Sequence, residues 1–464
     1  MKRLTGVILL MVIASQVTLA EEQRSLPVDD NQLVFEVYKQ LIETNTTHSV
    51  GDNTLAAQRM AAWLSAAGFA DEDVFIGGPK ERKGNLVARL HGTGERKPLI
   101  LLAHLDVVEA KRSDWSMDPF TLHETDGYYY GRGTLDDKAQ AAIWTASMIR
   151  MMRDDHVPDR DIILALTADE EGGGSNGVYW LLENHPQLIG GAFALNEGGF
   201  GLLQNGTHLA NNIQTAEKIF QSYTVTATNP GGHSSIPRRD NAIYELAEAL
   251  IRIREYEFPV MINDVMKLGF SRLADITPGQ LGDDLRAIVQ PTPDPDALQR
   301  LGKIPYINAL LRTTAVATML DGGHARNALP QSASAEVNVR MMPGTDPEEV
   351  LDALVTAIDN PDIKVVHNGG GLPSDPSPLT DEILNAVEAA TEELWPGVPV
   401  IPTMVTGATD GAKMRNAGIP TYGVSGLFVD RNDIRAHGRD ERILVTSFYE
   451  GYAFMYSLVL KLSS

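Results

Sequence analysis

Unbroken apolar runs alternate along this chain with stretches whose apolar residues recur every three to four positions. NLVARL (85–90), PLILLAHLDVV (98–108), DIILALTA (161–168) and GAFALNEG (191–198) are runs of strand length, bounded by polar or glycine-rich segments. TLAAQRMAAWLSAAGF (54–69) has helical spacing, and its Gly68 is a C-terminal cap signal. DDKAQAAIWTASMIRMMRD, between the second and third apolar runs, reads as another helix. Continuously apolar strands that alternate with helices predict an α/β sheet covered on both faces.

The texture changes near residue 217. FQSYTVTAT (220–228) alternates like a half-exposed strand, and NAIYELAEALIRIREY (241–256) is helical. TTAVATML (313–320) and ASAEVNVRM (333–341) read as strands, DPEEVLDALVTAI (346–358) as a helix and IKVV (363–366) as a strand. The order β-α-β-β-α-β describes a separate α+β layer of ferredoxin-like type, interrupted by an insertion over 258–312 of mixed Pro, Asp and Gly content. After GGGLPSDPSP (369–378) the α/β texture returns through TDEILNAVEAATEELW and PTYGVSG. The predicted organisation is a catalytic domain in two parts, 21–216 and 371–464, split by a lid domain over 217–370.

The composition narrows the function classes. The net charge of −22 disfavours nucleic acid and anionic membranes as partners. The absence of cysteine excludes a disulfide framework, a cysteine nucleophile and thiolate metal ligands. Lys2 and Arg3, the apolar stretch Val7–Ala14 and Thr18-Leu19-Ala20 read as a secretory signal over residues 1–20. It is too short for a membrane span. The expected location is therefore the periplasm, after export across an inner membrane.

Ligands of open α/β sheets bind beyond the carboxyl ends of the strands. His104 and Asp106 follow one apolar run, Asp169, Glu170 and Glu171 a second, and Asn196 and Glu197 a third. GRGTLDDK brings Asp136 and Asp137 to the start of a helix. One acidic turn is an ordinary solvated feature. Four segments converging on one edge with an imidazole call for a cation, since crowded carboxylates otherwise repel one another. Asp106, two residues from His104, can orient its ring. Most of the eleven histidines lie in polar loops or helix ends. His437, in DIRAHGRDE, is a candidate second imidazole from its charged setting alone.

HLDVV, GRGTLDDK, TADEEGG, NEGG, GGHSS, RNALP…VNVR and AHGRDE occur here in one order. In this the chain resembles the aminoacylase / glutamate carboxypeptidase / succinyl-diaminopimelate desuccinylase family of metallopeptidases, above all its carboxypeptidase S-like and N-acyl-amino-acid hydrolase members. The resemblance covers nearly the whole chain after the signal. It implies two zinc ions, replaceable by cobalt or manganese, bridged by Asp136. One would take His104 and Glu197, the other Glu171 and His437. It further implies Glu170 as general base, Asp106 as the partner of His104, and a cis peptide after Asp136. In dimeric relatives the lid histidine, here His233, reaches the partner's active site. Asn327, Arg340 and Gly407 match substrate-contacting positions, and an arginine can grip a terminal carboxylate in bidentate fashion.

The reading is thus a hydrolase for an amide next to a free carboxylate: a carboxypeptidase, a dipeptidase or an N-acyl-amino-acid deacylase. Its partner is a small peptide or N-acyl amino acid. An aminopeptidase-type enzyme would need an acidic pocket for an amine and no carboxylate-binding arginine. A non-catalytic binder on the same scaffold should lack a ligand or Glu170, and none is missing. A magnesium phosphohydrolase is disfavoured by the two imidazoles. The 258–312 insertion is long enough to cover the lid edge through which small relatives dimerise, so a homodimer through the lid is left open.

Overall fold

In the computed structural model, which describes residues 26–172 and 174–464, the apolar runs are neighbouring strands of one ten-stranded mixed sheet. Arg96–His104 lies parallel to Arg160–Thr167 on one side and to Phe193–Asn196 on the other. Thr421–Gly423 continues the parallel series, while Asn85–Leu90 and Val74–Gly77 extend it antiparallel. The absence of alternation in Leu99–Ala103 follows from cover on both faces. Leu99, Leu101 and Ala103 face the main core with the helices Asp30–Ile42, Asn53–Ala66, Lys138–Arg153 and Val445–Leu462. Ile100 and Leu102 face the opposite core with Val178, Leu181 and Met414. The helix read at 54–69 spans Asn53–Ala66, starts at an Asp52 side chain that accepts from Leu55 N, and is followed by Gly68 at φ 103°.

Four antiparallel strands form a second sheet, in the order Thr314–Gly322, Ser332–Met341, Ile219–Thr228, Ile363–Gly370. Tyr223, Val225 and Ala227 alternate inward onto the helices Ala242–Glu255 and Pro347–Ile358. The change of texture at 217 falls where Thr207–Glu217 hands over to this sheet through Lys218.

The 258–312 insertion holds four helices: Asp264–Ile276, Gln280–Ile288, Pro295–Leu301 and Pro305–Leu311. Two of its six prolines, Pro295 and Pro305, begin helices rather than break them, because they occupy first-turn positions where no N–H partner is needed. Met266, Phe270, Leu285, Leu301 and Leu311 share a core with Ala216, Met342 and Met404. The insertion therefore does not cover the edge strand Thr314–Gly322, exposed from Val316 onward. The leader read at 1–20 lies outside the described residues, among which no helix is long and apolar enough to cross a membrane.

Candidate metal centre

Parallel register brings three strand ends to one edge: His104 lies opposite Thr167, and Leu101 opposite Leu195. The first strand ends at His104 rather than 108, because the chain turns off the sheet there. Asp136 and Asp137 precede the helix Lys138–Arg153 and are joined by a cis peptide bond, as expected. His437 comes from a loop near the C-terminus, in left-handed backbone at φ 61°.

Asp136 stands between the two imidazoles. Its Oδ1 is 3.0 Å from His104 Nε2, and its Oδ2 is 3.0 Å from His437 Nε2. Glu171 Oε1 is 2.9 Å from His437 Nε2, and Glu197 Oε2 is 3.8 Å from His104 Nε2. Two overlapping groups, His104 with Asp136 and Glu171, and His104 with Glu170 and Glu197, each present ligand atoms within 4.8 Å of one another. One carboxylate with an oxygen toward each half, flanked by imidazoles and acids without thiolates, suits a pair of zinc-like ions.

The cluster is electrostatically frustrated without cations. Hydrogen bonds to Asp136 and Glu171 push His437 up to about 10. Burial pushes Glu197 up to about 7. Burial, with the charges of Glu197 and Asp410, also raises Glu170 well above the carboxylate range. Asp136 is held low against its burial by the two imidazoles. Bound cations would replace these protons.

Asp106 differs from expectation. His104 Nδ1 donates to the main-chain carbonyl of Asp106 at 2.9 Å, while the carboxylate lies 3.7 Å from that nitrogen. The carboxylate instead accepts from Glu170 N and Glu171 N, both at 3.0 Å, so it braces the acidic turn. Asp169, at φ 63°, anchors the same turn: it accepts from Lys83 Nζ and, at 2.8 Å, from Ser175 N.

Beside Glu170 opens a cavity of about 400 Å³ walled by Pro79, Tyr179, Trp180 and Lys413. Lys413 Nζ pairs with Asp410 Oδ1 at 2.9 Å, and Asn176 Nδ2 donates to the same oxygen at 2.8 Å. Sequence reasoning missed this pair, although Asp410 and Lys413 sit in or just after VTGATDG.

The structure does not bring the remaining predicted residues into the cluster. His233 is exposed on a two-stranded ribbon, opposite Ala328, with Ser235 Oγ 2.7 Å from its Nδ1. Asn327 is exposed beside it, its carbonyl accepting from Ser234 N at 3.1 Å. Arg340 lies on the four-stranded sheet with its guanidinium 5.4 Å from the Phe220 ring centroid. Gly407 lies in an exposed loop, with open space where a Cβ would stand. Among the described residues no hydrogen bond or ion pair joins these four to the acidic cluster.

Residues 100–461 match the model of peptidase family M20/M25/M40. The chain is 30% identical over 366 residues to an N-fatty-acyl-amino acid synthase/hydrolase PM20D1 of Xenopus tropicalis, covering 76% of this chain and 71% of that protein. It is 27% identical over 374 residues to a probable carboxypeptidase S-like 2 of Dictyostelium discoideum, covering 78% and 71%. Among solved structures, an M20 family metallo-carboxypeptidase from Sulfolobus solfataricus superposes with a TM-score of 0.69 at 16% identity, over 92% of this chain and 98% of that one. Human carnosine dipeptidase 1 gives 0.63 at 13% identity, over 93% and 96%.

Proposed function

Because this chain belongs to peptidase family M20/M25/M40, we propose that it is a di-zinc hydrolase that cleaves an amide bond adjacent to a free carboxylate. The observation that carries the reading is Asp136, whose two oxygens each face a different imidazole at 3.0 Å. His104 and Glu197 would hold one ion and Glu171 and His437 the other, with Asp136 shared. A bound zinc pair supplies a water acidic enough to ionise near neutral pH and a Lewis acid for the scissile carbonyl.

The chain's own groups do the rest. The Asp106 carbonyl fixes the His104 ring with Nδ1 protonated and the Nε2 lone pair toward the cluster. Glu170, beside His104 and Glu197 and left off both ions by this assignment, would take the proton of the attacking water and deliver it to the departing nitrogen. The cavity against Glu170 offers room for one half of the substrate. Arg340, which has no carboxylate partner among the described residues, supports a grip on the other half's carboxylate, and Asn327 and Gly407 are assigned to substrate contact by the family resemblance.

The reading has a domain and assembly part. Residues 217–370 act as a ferredoxin-like lid over a catalytic domain formed by 21–216 and 371–464. Val316, Met319 and Leu320 on the edge strand, 58%, 71% and 72% exposed, with Ile243 and Tyr244 beside them, support a homodimer through this lid. In that dimer His233 would serve the partner's site. Residues 1–20 would direct export to the periplasm.

The test is product release, followed by mass spectrometry, from dipeptides, longer peptides and N-acyl amino acids incubated with the zinc-loaded protein. One class should be cleaved, and Glu170→Gln should lose on the order of 100-fold or more while keeping its metals. No cleavage across the panel, with two ions bound, would overturn the reading.

A further inference from the structure

His437 is the least embedded member of the cluster. Its side chain is 55% exposed, against 2% for His104, which ends a central strand. Something must hold its loop at the right distance from Asp136, and two buried residues outside the cluster do so. Glu441 is fully buried and Arg132 nearly so. Glu441 Oε2 accepts from Arg132 Nη1 at 2.5 Å and from Gly133 N at 3.2 Å. Its Oε1 accepts from Leu135 N at 2.8 Å and from Asp136 N at 3.1 Å. One carboxylate thus collects the backbone donors of the turn that carries Asp136.

Arg132 faces the other way with its second nitrogen. Nη2 donates to Gly438 O at 2.9 Å and to His437 O at 3.4 Å. The Trp115 ring, 5.0 Å from the guanidinium carbon, backs it. The pair therefore ties the main chain of one candidate ligand to the main chain of another. A buried ion pair is a poor device for stability alone, since apolar packing serves as well. A planar fork that reads two carbonyls while pairing with a carboxylate is a good device for fixing a distance.

We propose that Arg132 and Glu441 are positioning residues that set the spacing of Asp136 and His437, and so govern the ion held on the Glu171–His437 side. The inference rests on the di-metal reading above. The other ion shares Asp136, but its own ligands His104 and Glu197 leave neighbouring sheet strands and make no bond to this pair, so the spacing to His437 bears on one half.

The test measures stepwise zinc affinities by competition with a chromophoric chelator, so it needs no substrate and stands apart from the amide-cleavage assay. Glu441→Gln and Arg132→Lys should weaken one of the two ions by about 10- to 100-fold and leave the other in place. His437→Ala gives the benchmark for loss of that half, and adding Arg132→Lys to it should cause no further change. The cobalt-loaded variants should show an altered absorption spectrum at the weakened half only. Thermal unfolding of the metal-free proteins identifies a variant that fails to fold, and the other then decides. Parallel loss of both ions, unchanged affinities, or additive losses with His437→Ala would overturn the proposal.

Discussion

His104 Nδ1 meets the main-chain carbonyl of Asp106 at 2.9 Å, while the carboxylate of the same residue holds the backbone of Glu170 and Glu171. A carbonyl only accepts, so it fixes the imidazole tautomer without help from the side chain. Asp106→Asn keeps that carbonyl but leaves one oxygen for two N–H donors. The expected result is a loss of about 10- to 100-fold in kcat, with the His104-side ion retained. Loss of that ion in Asp106→Asn would instead place the carboxylate's role on His104.

Metal loading should release protons. In the metal-free protein His437 is pushed up to about 10 by Asp136 and Glu171, and His104 is also raised, against its burial, by Glu197 and Asp136. His437 is imidazolium at pH 7, His104 is shifted in the same direction, and an ion takes the neutral ring. Zinc titration by calorimetry in buffers of different ionisation enthalpy should show a net release of protons at pH 7, from His437 and from Glu197, which burial pushes up to about 7. The raised His437 stabilises the metal-free fold fully below about 6.5, and that contribution fades as pH rises through about 10. A proton balance near zero would contradict this assignment.

The exposed edge strand predicts an assembly. Leu320→Asp should convert a dimer to a monomer in sedimentation. If His233 acts across that dimer, mixing Glu170→Gln with His233→Ala subunits should restore about a quarter of wild-type activity, from one complete site in half of the dimers. A monomeric wild type would dismiss the interface, and a dimer without complementation would dismiss the trans role.

Lys218 is buried where the two sheets join, and its Nζ donates to Arg312 O at 2.8 Å. Burial, with the nearby Arg340 charge, lowers it to about 7. An unfolded lysine keeps its proton to about 10.4. Between these values the unfolded state holds more protons, so stability rises with pH, by at most about 1.4 kcal/mol per unit from this group. Below about 7 the penalty is fully present. Urea unfolding at pH 7, 8 and 9 should show that slope reduced in Lys218→Met. An unchanged slope would assign it to another group.

The sequence made the strands legible where apolar content was continuous. NLVARL is the strand Asn85–Leu90, and DIILALTA is Arg160–Thr167 within a residue at each end. The acids after Arg160–Thr167 and Phe193–Asn196 were legible because parallel strands end together. The insertion's last two helices were not, because they are seven residues each and Pro295 and Pro305 look like breakers until seen in the first turn. The bond from His104 to a carbonyl was illegible for a different reason: every residue offers a carbonyl, and only the turn after His104 decides which one it meets. The roles of His233, Asn327 and Arg340 rest on the resemblance alone, because they lie on elements distant in topology from the cluster.

The candidate ligands are widely spread along the chain, with His104 near one end and His437 near the other. A pair of cations sharing Asp136 would close a circle from one to the other through most of the protein, as a staple would. Closing a long circle costs only about 0.6 kcal/mol more for each doubling of its length. The segment between Glu197 and His437, which contains the four-helix insertion, can therefore lengthen with little thermodynamic effect on the clip that fastens its ends. New recognition surfaces can accumulate in that interval while the chemistry at its two ends stays the same.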